Sequence, residues 1–199
     1  MSNYNVINAV GKTLKELIWS AMQYDSTIFG IIGSEQQISF EPPFKLVKDG
    51  DPDKNYISLY LYRVVENGEM KNRPLEPKDA NLLQYPPLSL NLFYLITPLT
   101  NSAENGHKLL GKTMQIFYDN AIVKGPALQD ILANTAEELR IILNPISMED
   151  IMKLWSAFMR PYRLSLSYEV KVVYIDSERE TEAELVRRKK IEFMQISGV

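Results

Sequence analysis

The sequence predicts a single α/β (α+β) domain, a mixed β-sheet flanked by helices, with a charged carboxyl-terminal arm. Three observations carry this. Segments at 56–65, 88–96 and 164–172 show the alternating or continuous apolar pattern of β-strands. Segments near the amino terminus and after residue 147 repeat apolar residues at helical spacing. Beyond Pro87 the two patterns interleave, as they do when helices connect the strands of one sheet. The division expected is a domain at 1–175 and an arm at 176–199.

Val6, Ile7, Val10, Leu14, Leu17, Ile18, Ala21 and Met22 form one helical stripe opposite Asn8, Lys12, Lys15, Glu16 and Gln23. That is the pattern of a helix docked on a core. Its polar face is too weakly basic for a membrane-surface helix. Short extended segments are expected at Gln37–Phe40 and Phe44–Val47, on either side of Pro42-Pro43, and a turn over Lys48–Asn55. In Tyr56–Val65, Ile57, Leu59 and Leu61 point one way and Tyr56, Tyr60 and Tyr62 the other, which suits a central strand covered on both faces.

Glu66–Pro87 reads as a long connection with prolines at 74, 77, 86 and 87. Ordered loops of that length often carry function. Leu88–Ile96 is the second long strand, with Leu88, Leu90, Leu92, Tyr94 and Ile96 on one face. A helix over about Ala103–Ala121 follows, then a short helix opened by Pro126 and a short strand at Leu139–Leu143. Ser147 is placed to cap a second helix, whose first turn holds Glu149 and Asp150 and which Pro161 ends. Leu164–Val172 alternates cleanly, with Ser165, Ser167, Glu169 and Lys171 on a wetter face.

From Asp176, glutamates at 178, 180, 182 and 184 precede Arg187-Arg-Lys-Lys190. Acid before base complements a helix dipole, and Ser177 with Glu180 fits a capping box, so a helical arm is expected.

Bulk composition narrows the function. The 199 residues are 45% hydrophobic and 24% charged, ordinary for one globular domain. A net charge of −3 argues against nucleic acid as the main partner, which would require a basic surface. Cysteine is absent and His107 is the single histidine, which removes thiolate chemistry and most metal ligands. Asp49, Asp51 and Asp53 lack the glycine and glutamate positions of a calcium loop and read as solvated acids. Neither a leader peptide nor a membrane span is evident, so folding in the cytoplasm is expected. No catalytic, metal or cofactor residues are assigned.

One motif opposes a non-enzymatic reading. Gly106-His-Lys-Leu-Leu-Gly-Lys-Thr113 spells the phosphate-loop signature, and Val170-Lys-Val-Val-Tyr-Ile-Asp176 resembles the strand and aspartate that hold magnesium in such enzymes. A P-loop nucleotide-binding enzyme using Gly106–Thr113 is therefore the alternative. Two features weigh against it. Thr97–Asn105 separates the first glycine from its nearest strand, and Leu110 is in helical phase with Met114, Phe117, Tyr118 and Ala121. Residues inside a helix cannot curl their N–H groups around a phosphate.

The order of segments is more specific than any motif. Tyr56-Ile-Ser-Leu-Tyr-Leu-Tyr-Arg63, Asn72-Arg-Pro74, Pro86-Pro-Leu-Ser-Leu-Asn-Leu-Phe-Tyr-Leu-Ile96, His107-Lys-Leu-Leu-Gly111, Ser147-Met-Glu-Asp150, Leu154-Trp-Ser-Ala-Phe158 and Pro161-Tyr162 stand in sequence. Together, over roughly residues 5–175, they resemble the amino-terminal domain of the tail terminator or cap proteins of phage-tail-like contractile injection systems.

The resemblance implies a structural protein: a homo-oligomeric ring, expected to be a hexamer, on the distal end of the inner tube and sheath. It would stop tube growth and stabilise the sheath, with tube and sheath proteins as partners, and neither nucleic acid nor membrane. Assembly would be cytoplasmic, in a particle that can leave the cell. Asn72, Arg73, Arg160 and Arg163 are the interface candidates for acidic partner surfaces. Relatives of that kind are longer; with the chain ending at Val199, the work of their additional carboxyl-terminal region is not expected of it.

Overall fold

The computed structural model describes residues 3–46, 55–71, 73–79 and 81–182. Strands β1 (Ile38–Ser39), β2 (Tyr56–Glu66), β5 (Leu88–Leu99), β6 (Ile122–Lys124), β7 (Glu138–Leu143) and β8 (Leu166–Ile175) form one sheet in the order β1-β2-β5-β8-β7-β6. β1 runs parallel to β2 and every other pairing is antiparallel, so the sheet is mixed, as expected.

Helices α1 (Val6–Met22) and α4 (Ala103–Asp119) pack together on one face. They cover Leu59, Leu90, Leu92, Tyr94, Ile96, Val170 and Val173, all buried. Burying such side chains contributes about 1.5–3 kcal/mol each before the entropy of ordering them. α1 comes close because Gly11 has no side chain; a Cβ there would lie 3.2 Å from Phe40 Cε1. The stripe read for α1 holds, with Val6, Val10, Leu14, Ile18 and Met22 at its buried centre.

Among the described residues the opposite face is covered at one end, by α3 (Pro43–Leu46) and the end of α5 (Met148–Ala157). Phe158 joins them to the sheet, 5.4 Å from the Phe44 ring and 5.9 Å from Tyr60. Beyond this cluster the face turns polar. Asn91 accepts from Asn67 at 3.0 Å and donates to Glu169 at 2.7 Å, while the hydroxyls of Tyr62 and Ser167 meet at 2.9 Å. The wetter face anticipated for β8 is polar but only partly wet: Glu169 and Lys171 are half-buried, while Ser165 and Ser167 are buried.

Several expectations need correction. Pro43–Leu46 is helical where an extended segment was expected, because a proline at a helix start has φ already set and no N–H to lose. β5 continues past Ile96 through Pro98 to Leu99. Pairing with β8 stops at Ile96, so beyond that point β5 has only β2 beside it and a proline removes no ladder bond on the open side. Glu66–Pro87 is not a bare loop. It contains β3 (Glu76–Asp79) and β4 (Leu82–Gln84), and β4 also pairs with β9 (Glu180–Glu182).

That last pairing replaces the helix start expected at Ser177. Gln84 Nε2 donates to the Ser177 carbonyl at 2.8 Å, Tyr85 N–H donates to Arg179 O at 3.2 Å, and Lys78 pairs with Glu180. These tertiary contacts override a local capping signal. The remainder of the expected helical arm, 183–199, lies outside the described residues. Among the described residues no helix is long and apolar enough to cross a membrane.

Candidate functional site

The phosphate-loop string lies wholly inside α4. Its helix is capped by Ser102, whose Oγ accepts from Asn105 N–H at 3.4 Å, so Gly106 is already in the first turn. Only Thr100–Ser102 separates β5 from α4, a shorter gap than the Thr97–Asn105 connection expected. The helical reading of Leu109–Thr113 is borne out. Leu109 and Leu110 are buried, and Thr113 Oγ1 donates to Leu109 O at 2.8 Å.

The buried stripe is not the one expected, however. It runs Gly106, Leu109, Leu110, Thr113, Ile116 and Phe117, while Met114, Tyr118 and Ala121 are exposed. Gly111 has open space where a Cβ would be. It is therefore a tolerated helix glycine and not a close-packing one. Lys112 pairs with Asp25 at 3.3 Å. Consecutive N–H groups here serve the helix ladder, and β5 is antiparallel to both neighbours, unlike the parallel strand feeding a phosphate loop. The P-loop alternative has no cradle to work with. His107, the only candidate imidazole, is exposed.

The four interface candidates separate. Register places them: Leu166 pairs with Ile96 at one end of the sheet and Ile175 with Leu88 at the other. Arg160 and Arg163, just before β8, belong to the first end. Arg73 belongs to the second, where its Nη2 lies 2.9 Å from Met70 Sδ. Asn72 lies outside the described residues.

At the first end, α5 starts as the sequence indicates: Ser147 Oγ accepts from Asp150 N–H at 3.1 Å. Such a cap stabilises by about 1 kcal/mol. The helix stops at Ala157, earlier than Pro161 alone would require, and Met159 takes a left-handed φ of 54° that turns the chain back. The turn sets Arg160 and Arg163, both exposed, around a cleft of ≈ 430 Å³ whose other walls are Pro43, Phe44, Trp155, Pro161 and Tyr162. Trp155 stacks edge-on with Phe158 at 5.7 Å and with Tyr162 at 6.2 Å. It is 2% exposed, and its indole Nε1 has no hydrogen-bond partner among the described residues. Leaving such a donor unpaired costs about 1–3 kcal/mol.

At the second end, a hollow of ≈ 310 Å³ lies between the connection and the arm, lined in part by Met70, Lys71, Pro87, Ile175 and Ser177. Beside it the β3-β4-β9 sheet ties the two together, with Arg179 4.3 Å over the Tyr85 ring. The long connection and the described start of the arm, residues 176–182, are thus joined.

Residues 9–189 match the family model described as the Pvc16 N-terminal domain. The chain belongs to the Pvc16 N-terminal domain family. The resemblance to tail terminators of contractile injection systems, read from the ordered segments, is thereby borne out. The Pvc16-like fold is shared with two structures solved by cryo-electron microscopy. One is the sheath/tube terminator, in its extended state, of the extracellular contractile injection system PVC: TM-score 0.66 at 17% identity, covering 100% of this chain and 66% of that one. The other is the tube-terminating cap of the anti-feeding prophage: TM-score 0.60 at 16% identity, covering 97% and 62%. The Pvc16-like chain thus spans just under two thirds of each. No curated protein sequence matches it.

Sequence reading missed the walls around Arg160 and Arg163. Trp155 lies in the helix expected after Ser147 and Phe44 in an expected extended segment, and no local pattern brings the two together. The signal available was local: Trp155, Phe158, Pro161 and Tyr162 crowd eight positions beside two arginines.

Proposed function

We propose that this chain is a structural, non-enzymatic cap of a contractile injection system, forming a ring on the distal end of the inner tube and sheath. The ring stops tube growth and stabilises the sheath. The observation carrying this reading is membership of the Pvc16 N-terminal domain family across 9–189, joined to a fold shared with a sheath/tube terminator and a tube cap. The geometry agrees with it: the one enzymatic motif is absorbed into α4, and the accessible features are surface clefts suited to protein contacts.

Capping follows from surface asymmetry. A ring closed by head-to-tail contacts between copies, sixfold in this reading, presents one face to the last tube layer. Its other face offers no surface for a further layer. Residues 1–175 form the ring body, and 176–199 an arm anchored to it through β9. Arg160 and Arg163 at one end of the sheet, Arg73 toward the other, and Asn72 meet acidic partner surfaces. The protein assembles in the cytoplasm and travels with the particle.

Co-expression with the tube and sheath proteins, followed by affinity purification and negative-stain microscopy, tests the reading. Rings at one end of tubes, carrying this chain, are expected. Tubes and sheaths purifying without it would contradict the proposal.

A further inference from the structure

We propose that the Trp155 cleft is one half of a docking trough for an extended acidic peptide segment of a partner protein. This rests on the cap reading only for which proteins carry the segment; the recognition chemistry stands on the geometry. Arg163 lines two adjoining hollows, the ≈ 430 Å³ cleft at Trp155 and a ≈ 290 Å³ hollow at the start of α4. Sharing that wall, the two together make up the proposed trough. Its ends are apolar, Phe44, Trp155 and Pro161 on one side and Pro98, Leu110 and Leu164 on the other, with arginine between them.

Charge selects the occupant. Neither lining contains an acidic residue, whereas Arg160, Arg163 and His107 all line the trough. Among the described residues no carboxylate forms an ion pair with either arginine, in contrast to Lys12, Lys15, Lys112 and Lys153, which pair with Asp130, Glu35, Asp25 and Glu149. The Trp155 indole N–H is a buried donor without an acceptor among the described residues, so the wall of the cleft carries an unpaired polar group.

A segment with apolar residues at positions i and i+4 and an acidic one at i+2, all on one face of an extended backbone, matches this order of apolar, cationic and apolar surface. The chain's own 183–199 does not, since Arg187, Arg188, Lys189 and Lys190 outweigh Glu184 and Glu192.

Trp155 reports directly on its own cleft once Trp19, the only other tryptophan, is removed. In the full chain carrying Trp19→Phe, indole emission is followed while titrating three probes. These are a blocked hexapeptide with leucine at its first and fifth positions, glutamate at its third and serine elsewhere, the same peptide with glutamine for glutamate, and inorganic phosphate. The expected result is saturable binding of the glutamate peptide, at least tenfold tighter than the glutamine peptide and weakened at least tenfold by Arg163→Gln. Equal affinity for the two peptides, or no saturable response at millimolar peptide, would overturn the proposal. So would phosphate alone reproducing the signal, which would mean an anion site and no peptide dock. If Arg163→Gln fails to fold, the comparison of the two peptides on the Trp19→Phe chain still decides. Peptide binding by a chain that leaves tube length unchanged would remove the cap reading and keep the dock; capping without peptide binding would do the reverse.

Discussion

Lys112 Nζ lies 3.3 Å from Asp25 Oδ2, so the lysine of the G-x-x-x-x-G-K-T string ties α4 to the residue that caps α2 (Ser26–Phe29). Asp25 Oδ1 meanwhile accepts from the backbone N–H groups of Thr27 and Ile28, at 3.1 and 3.2 Å. One carboxylate thus joins two helices. In a nucleotide enzyme that lysine would reach for phosphate.

Calorimetric titration with magnesium–ATP checks the consequence. Neither the natural chain nor Lys112→Ala is expected to show saturable binding at millimolar nucleotide. Lys112→Ala should lower the melting temperature only slightly, because partly exposed ion pairs contribute little.

The same pair sets a pH dependence. The N–H of Ile28, and next Lys112, hold the Asp25 carboxyl below its ordinary value of 3.8. A carboxylate with a lowered folded-state pKa stabilises the fold above that ordinary value and loses the contribution as pH falls through the folded one. Asp25→Asn should therefore flatten the fall in melting temperature below about pH 4. Melting curves of both proteins across the acid range measure this, and parallel curves would contradict it.

Strong periodicity made much of this fold legible. The stripe of α1, the bodies of β2, β5 and β8, and the Ser147 cap depend on local patterns that tertiary packing reinforced. The failures came where distant contacts decided. Ser177 and Glu180 spell a capping box, yet Gln84, Tyr85 and Lys78 hold that stretch as a strand. Met114 and Tyr118 continue an apolar helical phase, but the sheet lies under Thr113 and Phe117. Arg160 and Arg163 were readable as exposed cations. Their cleft was not, because Phe44 reaches it from more than a hundred residues away.

Trp155 anchors α5 and should be sensitive to truncation. Trp155→Ala is expected to destabilise the chain by about 3–5 kcal/mol. Trp155→Phe should cost much less, since it keeps most of the aromatic packing and removes an unpaired N–H. Chemical denaturation of the two variants gives the comparison; equal losses would mean the indole N–H has a partner.

Removal of 176–199 should leave the large sheet intact and free one side of β4. Hydrogen exchange is then expected to accelerate at Leu82–Gln84, which lose β9, while Leu92–Ile96 between β2 and β8 stay protected. Uniform acceleration would show that the arm supports the whole domain.

Tube length tests the central claim most directly. Particles from cells with and without this gene are measured by electron microscopy, with the gene restored in trans as a control. The account predicts tubes of irregular, longer length and unstable sheaths in the deletion, corrected on restoration. Tubes of unchanged length bearing stable sheaths would contradict it.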